Sequence, residues 1–136
     1  MKSTPIVRTI MVVEDVDFVP TQTDSKMILT QPTLNFNVPF IPTQLSFSIV
    51  VSISDFDREA SYNVELKLKD TDGVYLNSLS WEIKDMSEAS EVPTGGIIVA
   101  GIKNLPIHKE GKHDIELFIG DEKIGEGFFT VFKIRG

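Results

Sequence analysis

"LSFSIVVSISDFDREASYNVELKLKDTDG", residues 45–73, decides the fold. Leu45, Phe47, Ile49, Val51 and Ile53 alternate with Ser46, Ser48, Val50, Ser52 and Ser54; Tyr62, Val64, Leu66 and Leu68 then alternate with Asn63, Glu65, Lys67 and Lys69. A period of two marks strands with one buried and one solvated face. The two runs are close in the chain, so the spacing predicts an antiparallel pair, continued through "DTDG" at 70–73 into a third strand as a meander. Asp-Gly suits that turn, because Gly accepts φ > 0 and Asp can bond its own backbone.

This layout separates the acidic clusters. Asp55 and Asp57 precede the second run, whereas Asp70 and Asp72 follow it. A strand of about eight residues spans roughly 25 Å, while calcium ligands lie within about 2.6 Å of the ion. The four carboxylates therefore cannot share one site if the hairpin forms. "DTDG" alone opens like a calcium loop but continues with Val74, Tyr75 and Leu76, without the later acidic ligand of that motif, and reads as a turn.

Downstream, "VYLNSLSWEI" (74–83) changes phase, with Val74 and Leu76 on one parity and Leu79, Trp81 and Ile83 on the other, which predicts a bulge near Asn77. "KDMSEASEVPTGG" (84–96) reads as a polar connection with room for a turn of helix. "IIVAGIK" (97–103) is a further strand, and Pro106 and Gly111 mark the turn after it. Ile115, Leu117 and Ile119 alternate with Asp114, Glu116 and Phe118, and "GDEK" (120–123) leads into "IGEGFFTVFKI" as a C-terminal hairpin. There Phe128, Thr130, Phe132 and Ile134 face one way and Phe129 and Val131 the other, as in an interior strand or one covered by a loop.

Upstream, Ile6 to Val13 is one strand, and Glu14, Asp15 and Asp17 follow it at a solvated end. After the polar "TQTDSK" comes a short apolar "MIL". Leu34, Phe36, Val38 and Phe40 then alternate with Asn35 and Asn37, and Pro39 and Pro42 mark an edge strand or its end. About eight short strands without a long amphipathic helix define an all-β, antiparallel two-sheet β-sandwich, with residues 1–136 as a single domain.

Composition sets limits on function. A chain of 136 residues with 41% hydrophobic content buries one core without disulfides, and it has no cysteine. The net charge of −7, from 13 basic and 20 acidic residues, argues against nucleic acid and membrane surfaces as partners. Near the start only Ile10 to Val13 are uninterrupted apolar residues, short of the roughly 7–15 of a signal-peptide core. No run approaches the ~18 of a membrane span. Folding in the cytoplasm is expected, and assembly into a particle is compatible with it.

No catalytic constellation assembles in the sequence. The two histidines, His108 and His113, flank one loop without a Gly-x-Ser-x-Gly elbow, and with no Cys they lack the ligand number of a zinc site. "PTGG" lacks the Lys-Ser/Thr of a phosphate loop, and the "GEG" of 125–127 lies within a strand, where glycines relieve packing or form a bulge. Trp81, Tyr75 and Tyr62 could form a sugar-stacking platform, although the parity of Trp81 with Leu79 and Ile83 makes it a core residue. No catalytic, cofactor-binding or metal-ligating residue is assigned, and no cofactor is expected.

"MVVEDV", "VPFIPTQLSFSIVVSI", "YNVELKLKDTDGVYL" and "NLPIHKEGKHDIELFIGDEKIGEGFFTVF" together resemble an uncharacterised family of short bacterial proteins found in chromosomes and prophages. The shared features are structural: Glu14 and Asp15 after the first strand, Pro39 and Pro42 before the second, Pro106 and Gly111 before the closing hairpin. The resemblance implies a β-sandwich with no assigned enzymatic activity. The last of these stretches also resembles the terminal strands of immunoglobulin-like binding modules.

The expected function is a non-enzymatic protein-interaction or assembly module. Its partner would be an unidentified protein or a second copy, added to an exposed edge strand near Pro39 or at 97–103, where Ile97 and Val99 lie on the second face. The alternative is a small-ligand binder, for carbohydrate or calcium, using Asp70 and Asp72 or an exposed aromatic. A hydrolase would need two carboxyls roughly 5–10 Å apart in a cleft, and no such pair is identifiable.

Overall fold

The computed structural model describes residues 5–20, 22, 25–57, 60–83 and 96–135. Nine strands form among them: β1 (Ile6–Pro20), β2 (Ser25–Pro32), β3 (Asn35–Val38), β4 (Thr43–Ser54), β5 (Tyr62–Lys69), β6 (Tyr75–Ile83), β7 (Gly96–Ile107), β8 (Gly111–Ile119) and β9 (Glu122–Lys133). They make two sheets, A in the order β2-β1-β4-β7 and B in the order β3-β9-β8-β5-β6. The polar connection read at 84–96 lies outside the described residues except for Gly96, which opens β7.

The expected β4–β5 pairing is corrected by the structure. β4 lies between β1 and β7 in sheet A, and β5 lies between β6 and β8 in sheet B, so the chain passes from one sheet to the other between these two strands. Both strands bury their alternating apolar sets, but face to face across the interior. The crossing is pinned from inside. Asp55 takes φ 64°, Phe56 is buried against the Tyr62 ring at 5.2 Å, and the Asp57 N–H donates to the Tyr62 hydroxyl at 2.9 Å. The β5–β6 hairpin through Asp70–Gly73 forms as expected, with the register shift opposite Leu76, next to Asn77.

The core joins Phe47, Ile49, Val51 and Ile53 of β4 to Tyr62, Val64, Leu66 and Leu68 of β5, Ile115 and Leu117 of β8, and Phe129 and Val131 of β9. Phe36, Phe47 and Phe129 form an aromatic triad with centroids 5.1–5.6 Å apart. Such tilted and edge-on contacts add to the burial energy. Trp81 packs half-buried against this core with Leu79 and Ile83, as its parity predicts.

β7 runs further than the sequence suggests. Pro106 lies within it, opposite Gln44, and the turn into β8 is at 108–110. An edge strand tolerates that proline. A bulge precedes it, where Asn104 takes φ 55° and its N–H donates to the Ser46 hydroxyl. β9 is an interior strand, as its two partly apolar faces require. Its inner face is thinned by Gly125 and Gly127, over which Val7 and Ile10 of β1 pass: a Cβ on Gly125 would lie 2.9 Å from Val7 Cγ2. The packing reading of "GEG" holds.

Two further corrections concern the first third. β1 does not stop at Val13 but continues to Pro20, so Glu14, Asp15 and Asp17 lie within the strand. β3 is an edge strand ending at Val38, as Pro39 predicts, but it pairs parallel to β9. The other six pairings are antiparallel.

Candidate interaction surface

β1 pairs with β4 only up to Val13, opposite Ser48, yet it pairs with β2 from Val13 to Pro20. A two-stranded ribbon thus extends past the body of sheet A. Its register alternates cleanly. Val16 opposes Leu29 and Phe18 opposes Met27, which places four apolar side chains on one face; Asp15 opposes Thr30 and Asp17 opposes Ile28 on the other. Val16, Met27 and Leu29 are half-buried, and Phe18 is 61% exposed. Among the described residues Glu14, Asp15 and Asp17 form no ion pair, and Asp15 accepts from the N–H of Val16. An isolated two-stranded ribbon is marginal in water and gains stability when its apolar face is covered.

At the ribbon's base a cleft of about 260 Å³ opens between the sheets, lined by Ile10, Met11, Pro32, Leu34, Ile115 and Phe128 among others. Leu34 is 76% exposed. Phe128 leads onto the outer face of β9, where Phe132, and Ile134 beyond the strand's end, are also exposed. Asn35 and Asn37 of β3 and Lys112 of β8 flank this stripe in register, and the Lys112 ammonium stands 4.8 Å above the Phe128 ring.

Elsewhere the outer face of sheet B carries a polar network around Glu116, beside the Tyr75 and Phe118 rings under Lys67. Glu116, buried at 6% exposure, accepts from the Tyr75 hydroxyl at 2.9 Å and pairs with Lys123 at 3.1 Å and Lys69 at 3.3 Å. Burial opposes its charge, but the hydrogen bonds from Tyr75, Lys123 and Lys69 outweigh it and hold the carboxyl below the ordinary 4.5. A carboxylate favoured in the folded state stabilises the fold above the unfolded pKa, and that contribution is lost as pH falls through the lower folded value. Glu116→Gln is therefore expected to be less stable than the parent at pH 7, with the gap closing as pH falls below about 4.5. Melting temperatures from pH 7 to 3 check this, and a constant gap would contradict it.

The residues singled out in the sequence occupy separate places. Asp55 and Asp57 follow the end of β4, ahead of β5, and Asp70 and Asp72 lie in the turn between β5 and β6. Asp70 Oδ1 accepts from the N–H groups of Val74 and Asp72, and the first of these bonds chiefly holds its pKa down; Asp72 pairs with Lys109 at 2.9 Å. Asp70 is thus a turn former. Adding millimolar calcium should leave the melting temperature unchanged, whereas a rise of several degrees would show an ion held at this turn. His113 is a core residue, stacked on Phe129 with its Nδ1 3.0 Å from the Gly111 carbonyl; His108 is exposed. Tyr62 is buried and Tyr75 and Trp81 lie at opposite ends of β6, so the three rings form no platform. Among the described residues no group of three or more His, Asp or Glu side chains could hold a metal ion. No helix there is long and apolar enough to cross a membrane.

Sheet edges β3 and β7 are where edge strands were expected, and Ile97 of β7 is 57% exposed. The ribbon is hidden in the sequence because Glu14, Asp15 and Asp17 look like the solvated end of a strand. The signal was present: Val16 and Phe18 continue the period of two, and "MIL" supplies the opposing residues.

Two packed sheets with inward apolar faces, joined by connections that cross between them, define an immunoglobulin-like β-sandwich. In layout the chain is similar to an immunoglobulin-like protein from Pseudomonas aeruginosa, at 15% identity over 96% of this chain and 98% of that one, with a TM-score of 0.46. It is also similar to parts of two enzymes. One is the alkylpurine DNA glycosylase AlkC from Pseudomonas fluorescens, at 11% identity over 73% of this chain and 27% of that one, TM-score 0.47. The other is a β-glucosidase from Listeria innocua, at 10% identity over 73% and 15%, TM-score 0.47. No curated protein matches the sequence. The chain belongs to a family of unknown function, DUF6941, whose model matches residues 16–132.

Proposed function

We propose that this protein is a non-enzymatic protein-binding module that acts through the β1–β2 ribbon. The observation that carries the reading is the ribbon's apolar face of Val16, Phe18, Met27 and Leu29, which runs past the sandwich with no third strand beside it among the described residues. Exposed Leu34 and the cleft beneath it extend that surface toward the body. The resemblance of its sequence motifs to short bacterial and prophage proteins fits a cytoplasmic partner, components of a phage particle included.

The test uses the full chain as bait in host lysate beside a Phe18→Ser/Met27→Ser variant. The variant should keep the melting temperature of the sandwich, since neither side chain belongs to the core. The parent is expected to retain a specific protein that the variant releases. Equal capture by both, or specific capture by neither, would overturn the reading.

A further inference from the structure

We infer that the uncovered first half of β9 is a second binding site, distinct from the apolar face of the ribbon, for an extended peptide segment of a partner protein. The segment adds to sheet B as a strand and seats one large apolar side chain in the cleft. β9 is 12 residues long, but β3 pairs with it only at Thr130–Lys133. On that side residues 124–128 have no neighbouring strand among the described residues. Bonds further along the strand fix which backbone groups face this gap. Thr130 and Ile134 donate to the Leu34 and Val38 carbonyls, so the even-numbered residues turn their backbone groups toward β3. No register shift interrupts Gly125–Val131, and the alternation of an extended strand therefore carries back to Phe128 and Glu126. Their N–H and C=O groups face the open edge. Such an edge is a template for one more strand, and what complements it is an extended backbone. The free edge of β7, by contrast, carries the Asn104 bulge and Pro106, which blunt it.

The cleft defines what that strand carries. It opens beside this edge, at the Pro32–Leu34 link from β2 to β3. Directly opposed residues of neighbouring strands share a face, so a residue opposite Gly127 points inward, as Gly127 does toward Ile10. Gly127 has no side chain to fill the space, and Ile10, Leu34, Ile115 and Phe128 wall it. An apolar cavity of about 150 Å³ admits a benzene-sized group. The cleft, at about 260 Å³, has room for one Leu, Met or Phe side chain.

Selection of the full chain against a display library of random peptides, each about nine residues long, tests this. Enriched peptides should share one Leu, Ile, Met or Phe among residues of high β-propensity. With such a peptide bound, the amides of Glu126 and Phe128 should exchange about tenfold more slowly or better, read residue by residue. N-methylation of the peptide residues that face β9 should weaken binding by about tenfold, and of the alternate residues much less, because only the first set bonds the edge. Leu34→Asp, at an exposed position, should also weaken binding by putting a charge at the mouth of the cleft. Phe128→Pro removes an edge-facing donor and should do the same; if that variant misfolds, the N-methyl series answers the same question on the parent. A selection that enriches no peptide, peptides that leave Glu126 and Phe128 unprotected, or equal losses from both N-methyl sets would overturn the inference. Phe18→Ser/Met27→Ser should bind the peptides as the parent does, so the two sites fail separately. Ribbon-dependent capture without peptide binding sinks this inference alone, and peptide binding without ribbon-dependent capture sinks only the ribbon's role.

Discussion

Phe129→Ala should lower stability by about 3–5 kcal/mol, a loss of roughly 10–20 °C in melting temperature for a domain of this size. Phe129 is fully buried, closes the aromatic triad with Phe36 and Phe47, and carries the stacked His113 ring on its face. Truncation removes the ring's transfer energy and leaves a cavity that strands pinned on both sides cannot collapse into. The neighbouring Phe128→Ala supplies the control, because that ring is 53% exposed, at the rim of the cleft with the Lys112 ammonium over its face. It should cost less than about 1 kcal/mol. Thermal or denaturant unfolding of the two variants reads the facing of β9 directly. The opposite order of effects would mean that the strand is turned over.

Gly125→Ala should destabilise through the reverse defect, overpacking. The added methyl would stand 2.9 Å from Val7 Cγ2 and 3.1 Å from Val7 Cβ. Val7 is β-branched and stiff at χ1, so relief requires β1 or β9 to shift, at a cost of about 1–3 kcal/mol. The partner identifies the mechanism. In a Val7→Ala/Gly125→Ala double variant the loss should fall short of the sum of the two single losses by more than about 0.5 kcal/mol. Strict additivity would show that β1 does not cross β9 at this glycine.

Strand existence was legible from period two alone for β4, β5, β8 and β9, because each has one strongly apolar face. Partnership was not. Alternation in Leu45–Ile53 and Tyr62–Leu68 shows that both faces reach one core, and lying side by side or stacking across the interior meets that need equally well. Phe56 was the discriminating residue, an aromatic among acids that a surface hairpin loop would leave in water. The DTDG turn and the "GEG" packing were legible because Asp70 and Gly125 each have a local reason for their identity. The parallel β3–β9 pair depends on where a four-residue edge strand lands after a crossover, which no local pattern encodes. The ribbon was half legible: its residues alternate correctly, but an acidic strand that leaves its sheet looks, in sequence, like a strand that ends.

Amide hydrogen exchange of the full chain, resolved by residue, tests the central claim most directly, since it reports how well each segment's backbone is held. In dilute protein the account predicts slow exchange in β5 and β8 and much faster exchange at the paired amides of 14–19 and 26–31, with protection of the ribbon appearing once its apolar face is covered. A ribbon protected as strongly as β5 in the dilute, unpartnered chain would contradict it, because a surface already stable by itself has no need of the partner proposed for it.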